Sequence, residues 1–345
     1  MTNHAVTSII GGVFALESAD VTAAPAEPPA FMRGPTVLLA NGRGAISLLC
    51  ARLGPRRVWL PACLCDSMVQ SSPVHGAEGR FYPVDSDLGC RDRHWLDEVR
   101  RGDLAIPIDY SGFLCDPQLV TEPKQRGAWV VQDACQALLS DHGQTQADFL
   151  NYSPRKFVGV PDGGVLMIRI GMQIPIDQLE PPPTEWWLKA LSVTVGRRDF
   201  DRAGGGERRW FRMHQELERS GPIEAYQMSD LSRCLLERGI DFASVVQRRC
   251  ANYQVLLRRL RPLAVFPDLP LGFPVRLRNR DAARQRLFDH AIYPPVHRPI
   301  AGLVPAEFEI SHELNRRIMT LPCDQRYDEK DMSRMADLLQ DEPPA

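Results

Sequence analysis

The sequence of 345 residues contains no apolar run of 18, so it offers no helix able to cross a membrane. It also lacks a dominant charge. Forty-one Lys plus Arg stand against 43 Asp plus Glu, a formal charge of −2. A dedicated nucleic-acid binder is usually basic, so the balance argues against that class. No Lys or Arg precedes Arg33. The mildly apolar stretch 5–16 therefore lacks the positive lead of a secretory signal and reads as mature protein. No Cys-x-x-Cys occurs among the nine cysteines, and Cys63-Leu64-Cys65 is too tight for a zinc knuckle, so no metal is expected. An odd number of scattered cysteines in a long chain reads as free thiols in a reducing cytoplasm. Internal repeats and long low-complexity tracts are absent as well.

What remains is ordinary globular material, 44% hydrophobic and 24% charged, with enough apolar surface to form a core. The length suggests about two domains. Residues 1–33 end in a Pro/Ala-rich stretch, 23–29, and read as a loose lead-in. Short apolar runs then recur at 36–40, 57–60, 80–84, 104–109, 128–132, 148–152 and 164–168. Amphipathic segments such as 45–53 and 94–101 lie between several of them. Strand and helix in alternation predict an α/β domain with a mainly parallel sheet over 34–224, its connector included. Residues 171–224 depart from that rhythm. Six arginines fall within 197–212, and Gly204-Gly205-Gly206 loosens the middle. The plain reading is a solvated connector with a helix or two; the sharper one is a flexible basic loop that meets an anionic substrate. From 229 a long helical pattern runs to 260, and 331–339 forms a last amphipathic helix. Residues 225–345 thus read as a smaller α+β domain.

Three segments carry chemistry-bearing residues in order. Ala40-Asn41-Gly42-Arg43-Gly44-Ala45 is a strand running into a glycine turn and then a helix. Glycine admits a ligand close to the backbone, and a helix start suits a phosphate. Neither a dinucleotide fingerprint nor a Walker loop is present, because the third glycine and the Gly-Lys-Ser/Thr are missing. Next, Gln132-Asp133-Ala134-Cys135-Gln136 sets a carboxylate at a strand end, where parallel sheets face their ligands. On its own, Asp133 is better explained as a helix N-cap. Last, Asn151-Tyr152-Ser153-Pro154-Arg155-Lys156 places a lysine after the following run and ahead of Gly163-Gly164. A lone lysine is usually a solvated surface residue. A phosphate turn, a strand-end Asp and then a Lys are together what a pyridoxal phosphate site requires. The turn takes the phosphate, the carboxylate keeps the ring nitrogen protonated, and the amine bonds the cofactor aldehyde.

These residues also carry a resemblance that spans roughly 36–340. The chain resembles the DegT/DnrJ/EryC1/StrS family of fold type I pyridoxal-phosphate aminotransferases. Asn41 to Ala45 resembles its Ser-Gly-Thr-x-Ala turn, Leu60-Pro61-Ala62 its Val-Pro strand end, and Asp109 to Asp116 its His-x-Tyr-Gly-x-x-x-Asp stretch. Asp133-Ala134-Cys135-Gln136 matches its Asp-Ala-Ala-His/Gln box, and Lys156 falls on its cofactor lysine. Tyr226 to Leu231, Arg249 to Tyr253, Pro295-Val296-His297 and Leu321-Pro322 fit later family segments. The resemblance implies a large domain with a mainly parallel sheet, a smaller α+β domain and a homodimer whose sites lie near the interface. It implies Lys156 and Asp133 as catalytic residues, and a cofactor site of Gly42, Arg43, Gly44, Cys65, Gln136, Asn151 and Ser153 around them. Gln136 would bond the ring 3-oxygen.

The departures are specific. Ala225 stands for the family's Asn, Gln227 for its Arg, Cys65 or Leu64 for the ring-stacking aromatic, and Asn151 for a phosphate-binding Ser. Arg43 replaces a small hydroxyl residue and would add charge at the turn. The branch is divergent. The expected activity is amino transfer from glutamate or glutamine to an anionic keto substrate, a nucleotide-linked sugar foremost. Tyr152, His297, Arg208 and Arg209 are the candidate substrate residues. Another pyridoxal-phosphate reaction (a lyase, a dehydratase or a Cα substitution) and a catalytically silent cofactor-binding protein are the competing readings.

Overall fold

The computed structural model describes residues 9–18, 27–71, 75–172, 174–260, 270–296 and 300–342. Its centre is a seven-stranded sheet made by the seven apolar runs: β2 (Thr36–Leu39), β3 (Arg57–Pro61), β4 (Glu78–Tyr82), β5 (Leu104–Ala105), β6 (Trp129–Asp133), β7 (Phe149–Tyr152) and β8 (Gly164–Ile168). The spatial order is β2-β8-β7-β6-β5-β3-β4. All pairs are parallel except those of β8, which runs against both β2 and β7. Buried runs such as Val130-Val131 and Val165-Leu166 mark strands covered on both faces.

Helix α1 (Gly42–Leu53) follows β2 and lays Ile46, Leu49 and Cys50 on one face of the sheet. Asn41 caps it, its side chain accepting from the Gly44 N–H, and Gly54 ends it in the left-handed conformation. Short helices α2 (Asp66–Ser71) and α3 (Gln118–Gln125) complete this part.

The 171–224 stretch is mostly helical. α4 (Thr184–Arg202) and α5 (Arg209–Arg219) pack as a pair, with Leu217 against Ala190 and Val193. The plain reading, a connector with a helix or two, is what forms, and the alternative of a flexible basic loop shrinks to residues 203–208. Five of the six arginines lie on helices.

Residues Tyr226 to Met228 run beside β2, through Ala40 N–H to Tyr226 O (2.8 Å) and Met228 N–H to Leu38 O (3.1 Å). α6 (Asp230–Arg238) buries Leu235 and Leu236 with Leu150 and Tyr152 behind the sheet.

A second core follows. α7 (Phe242–Leu260), α8 (Arg280–Asp289) and α10 (Glu329–Asp337) surround an antiparallel pair, β9 (Phe273–Arg276) with β11 (Ile318–Leu321); α9 (Glu309–Arg317) precedes β11. This is the expected smaller α+β unit. The lead-in is not uniformly loose: β1 (Ile10–Gly11) pairs with β10 (Ile292–Tyr293), and Ile10 is fully buried in the second core. Among the described residues no helix is long and apolar enough to cross a membrane, and no cluster of metal-ligating side chains occurs.

Candidate active site

Sheet register decides which side chains meet. Asp133 pairs with Asn151 across β6 and β7, so both project from one face. Their neighbours Gln132 and Tyr152 project from the other. Asp133 is buried, and its carboxylate accepts the Cys135 N–H at 2.9 Å. Lys156 ends the 3-10 turn Pro154–Lys156 that follows β7, with Ser153 buried at its N-cap.

Lys156 comes within electrostatic reach of Asp133, Cys135 and Cys65. Burial alone would lower its ammonium, but those groups outweigh burial and the net direction is upward. Asp133 is raised by burial, with Lys156 and the Cys135 N–H opposing. Each charge opposes what burial does to the other, and for Asp133 burial prevails.

The glycine turn lies against the same wall. A Cβ at Gly42 would sit 3.1 Å from Cys135 Sγ and 3.4 Å from Asn151 Oδ1. Asn151 Nδ2 donates to Gly42 O (3.2 Å), while Asn151 Oδ1 is buried with no partner among the described residues. Gly164 presses on the turn from β8: a Cβ there would lie 2.4 Å from the Asn41 carbonyl carbon.

Other candidates occupy definite places. Gln136 accepts the Ser111 N–H at 3.0 Å. Cys65 is half-buried, its thiol 3.0 Å from Ser67 Oγ. Arg43 does not turn inward to the glycine turn. It donates to Gly221 O (3.2 Å) and Glu218 O (3.4 Å), clamping the chain after α5 onto α1.

Strand alternation turns Tyr152 to the face opposite Asp133. Its hydroxyl meets His142 Nδ1 at 3.3 Å, His142 Nε2 meets Asp109 at 2.8 Å, and Phe31 packs on the ring. That network lies on the face away from Asp133. Arg209 is exposed and paired with Glu207 at 2.9 Å. Arg197 is buried, donating to Gly11 O (2.7 Å) and Asp201 and stacking on Trp210, so it is a structural residue of α4. Arg208 is half-buried, its guanidinium 4.3 Å from the centre of the Tyr293 ring. His297 lies outside the described residues.

A cavity of about 510 Å³ opens between the lysine turn and the second core. Lys156, Arg155, His214 and Glu218 line one side, and Tyr293, Val296 and Phe14 another. Arg155 pairs with Glu218 at 2.5 Å. Burial works against the Glu218 charge, yet Arg155 and His214 hold its carboxyl down to about 2. His214 goes the other way: burial lowers it, against Glu218. Sequence reasoning did not single out this trio. Arg155 was visible as the neighbour of Lys156, but His214 and Glu218 carry no signal until α5 is seated on α4.

No family model and no curated protein matches the chain. Solved structures do. The aminotransferase TlmJ from Streptoalloteichus hindustanus is 18% identical at a TM-score of 0.65, covering 88% of this chain and 84% of its own. DesV from S. venezuelae, solved with a ketimine intermediate, is 17% identical at 0.65, covering 93% and 91%. Spr1654 from Streptococcus pneumoniae in its PLP-form is 16% identical at 0.64, covering 94% and 97%. At such identity the likeness shows the fold: this chain folds as these proteins do, nearly end to end.

Proposed function

We propose that the chain is a pyridoxal-phosphate-dependent aminotransferase acting on a keto sugar. The observation that carries this reading is the meeting of Asp133 and Lys156, 23 positions apart in sequence, at the ends of adjacent strands beside a glycine turn. One feature fits a bound pyridoxal phosphate: Gly42 leaves open a cradle that a Cβ would fill. The buried, unpartnered Asn151 Oδ1 is an acceptor, so Asn151 would meet a phosphate only with its amide turned to present Nδ2. One family feature is missing, since the ring-stacking position carries Cys65.

The cofactor, when bound, supplies an electron sink for the substrate Cα–H bond. The chain does the rest. Asp133, whose charge Lys156 and the Cys135 N–H favour against burial, would hold a ring nitrogen protonated. The Gly42–Gly44 turn and the start of α1 would hold the phosphate through backbone N–H groups. Lys156 would bond the aldehyde carbon, and its amine, once freed, would hold and move the proton of the substrate Cα. The cavity admits the substrate from the second-core side. Arg208, over the Tyr293 ring, supports an anionic group on the acceptor, in the manner of a nucleotide-linked sugar.

The test is direct. Protein mixed with pyridoxal phosphate and reduced with borohydride should carry the label on the Lys156 peptide, and glutamate should discharge the colour of the unreduced protein. Label on another lysine, or label persisting in Lys156→Ala, refutes the assignment.

A further inference from the structure

The cavity beside Lys156 holds a second group fit for proton transfer. His214 is half-buried on α5 and lines that cavity together with Lys156. Its Nδ1 lies 4.0 Å from Glu218, one helical turn on. Among the described residues no protein partner takes Nε2. Glu218 in turn is fixed by Arg155, the residue next to Lys156. α5 is seated by Leu217 on Ala190 and Val193 of α4. Thus one chain of contacts, His214–Glu218–Arg155–Lys156, sets the imidazole at a fixed offset from the lysine.

The chemistry calls for such a group. Lys156 serves the substrate carbon. The carbonyl oxygen of the acceptor is a different atom, and it departs as water when nitrogen replaces it. The nitrogen loses two protons and the oxygen gains two. We propose that His214 is the catalytic acid–base that carries those protons, with Glu218 as its positioning residue. The inference rests on the aminotransferase reading. As the C–N bond forms from the nitrogen lone pair, Nε2 accepts a proton from nitrogen and delivers it to oxygen. As the C–O bond breaks, with its electron pair leaving on oxygen, the imidazole carries the second proton along the same path. It ends neutral, so no other reactant is required. A neutral imidazole at rest is what the site provides, since burial lowers its affinity for a proton. The charged groups facing it are Glu218 on its own helix and Arg155 from the lysine turn; Asp324 and Arg326 lie across the cavity.

The experiment uses full-length protein loaded with pyridoxamine phosphate and 2-oxoglutarate as the carbonyl probe, in a single turnover. His214→Ala should slow the reaction by about 10²–10⁴-fold. Added imidazole should restore part of the rate, a recovery that a purely structural histidine would not show. Affinity for pyridoxamine phosphate should stay within about twofold of wild type. His214→Gln serves as a second variant, equally slow if the side chain must exchange protons. In ¹⁵N spectra, Glu218→Gln should move the His214 ring-nitrogen signals. His214→Ala or His214→Gln reacting within about threefold of wild type overturns the proposal, as does a slow His214→Ala that imidazole leaves unchanged. Unmoved ring signals in Glu218→Gln overturn the positioning role. A wild-type protein that takes up no pyridoxamine phosphate refutes the function itself, and this role with it.

Discussion

Gly164→Ala tests whether the glycine turn is held in place by the strand beneath it. Gly164 pairs with Leu39 in the β2–β8 ladder, so its own backbone has little room to shift. The new Cβ would lie 2.4 Å from the Asn41 carbonyl carbon, 2.5 Å from its oxygen and 2.8 Å from Gly42 N. Ordinary contact begins near 3.4 Å, so the Asn41–Gly42 peptide must retreat by about 1 Å. Three bonds resist: Asn41 Oδ1 with Gly44 N–H (2.9 Å), Asn41 Nδ2 with Pro222 O (3.1 Å) and Asn151 Nδ2 with Gly42 O (3.2 Å). Overpacking of this kind costs about 1–3 kcal/mol, and loss of the α1 cap about 1 more. Equilibrium urea unfolding of the cofactor-free protein should therefore show a loss of about 2–4 kcal/mol. Pyridoxal phosphate affinity, followed by absorbance, should drop at least about tenfold, because the displaced peptide is the one proposed to meet the phosphate. Gly79→Ala on edge strand β4 is the control: its Cβ would find only Leu60, at 4.0 Å, and both measurements should stay near wild type. Gly164→Ala with wild-type stability and affinity would refute the argument that the strand positions the turn.

Three further outcomes follow from single contacts. Asp133→Asn keeps the shape of a buried residue but removes the charge facing Lys156; turnover should fall by about 10²–10³-fold with modest loss of bound cofactor, and near-normal turnover removes its assigned role. Arg197→Ala takes away a buried guanidinium that bonds Gly11 O and Asp201, so the protein should lose about 3 kcal/mol of stability while the acceptor KM holds; a raised KM at unchanged stability would restore it as a substrate contact. Glu218 has its carboxyl held at about 2 against an ordinary 4.5, so its stabilising charge is present above pH 4.5 and is lost as pH falls toward 2. Glu218→Gln should flatten the acid-unfolding curve in that window, and an identical curve would show that the Arg155 pair contributes nothing.

The seven strands were legible because each is a short apolar run between polar segments, a pattern that depends on local sequence alone. Asp133, Asn151 and Lys156 were legible for a related reason: strand ends on a parallel sheet converge, so order along the chain translates into proximity. What was not legible shares a different cause. Tyr152 was a candidate substrate residue, yet strand alternation turns adjacent residues to opposite faces, and the register that selects the face exists only once β6 and β7 pair. The arginines of 197–212 suited either a connector with a helix or two or a basic loop, and the helices formed. Folding sorts them by helix face: Arg197 goes inward to Gly11 and Trp210, Arg209 outward to Glu207, and Arg208 lies over Tyr293. His214 and Glu218 are the sharper case. Their one-turn spacing occurs on any helix, and it acquires meaning from Arg155, 63 residues earlier than Glu218, which draws α5 onto the lysine turn. Composition and order therefore reached the part of the candidate site whose residues sit on the sheet. The cavity side is assembled by helices packing across the chain, and its chemistry is written in contacts between segments that sequence order keeps apart.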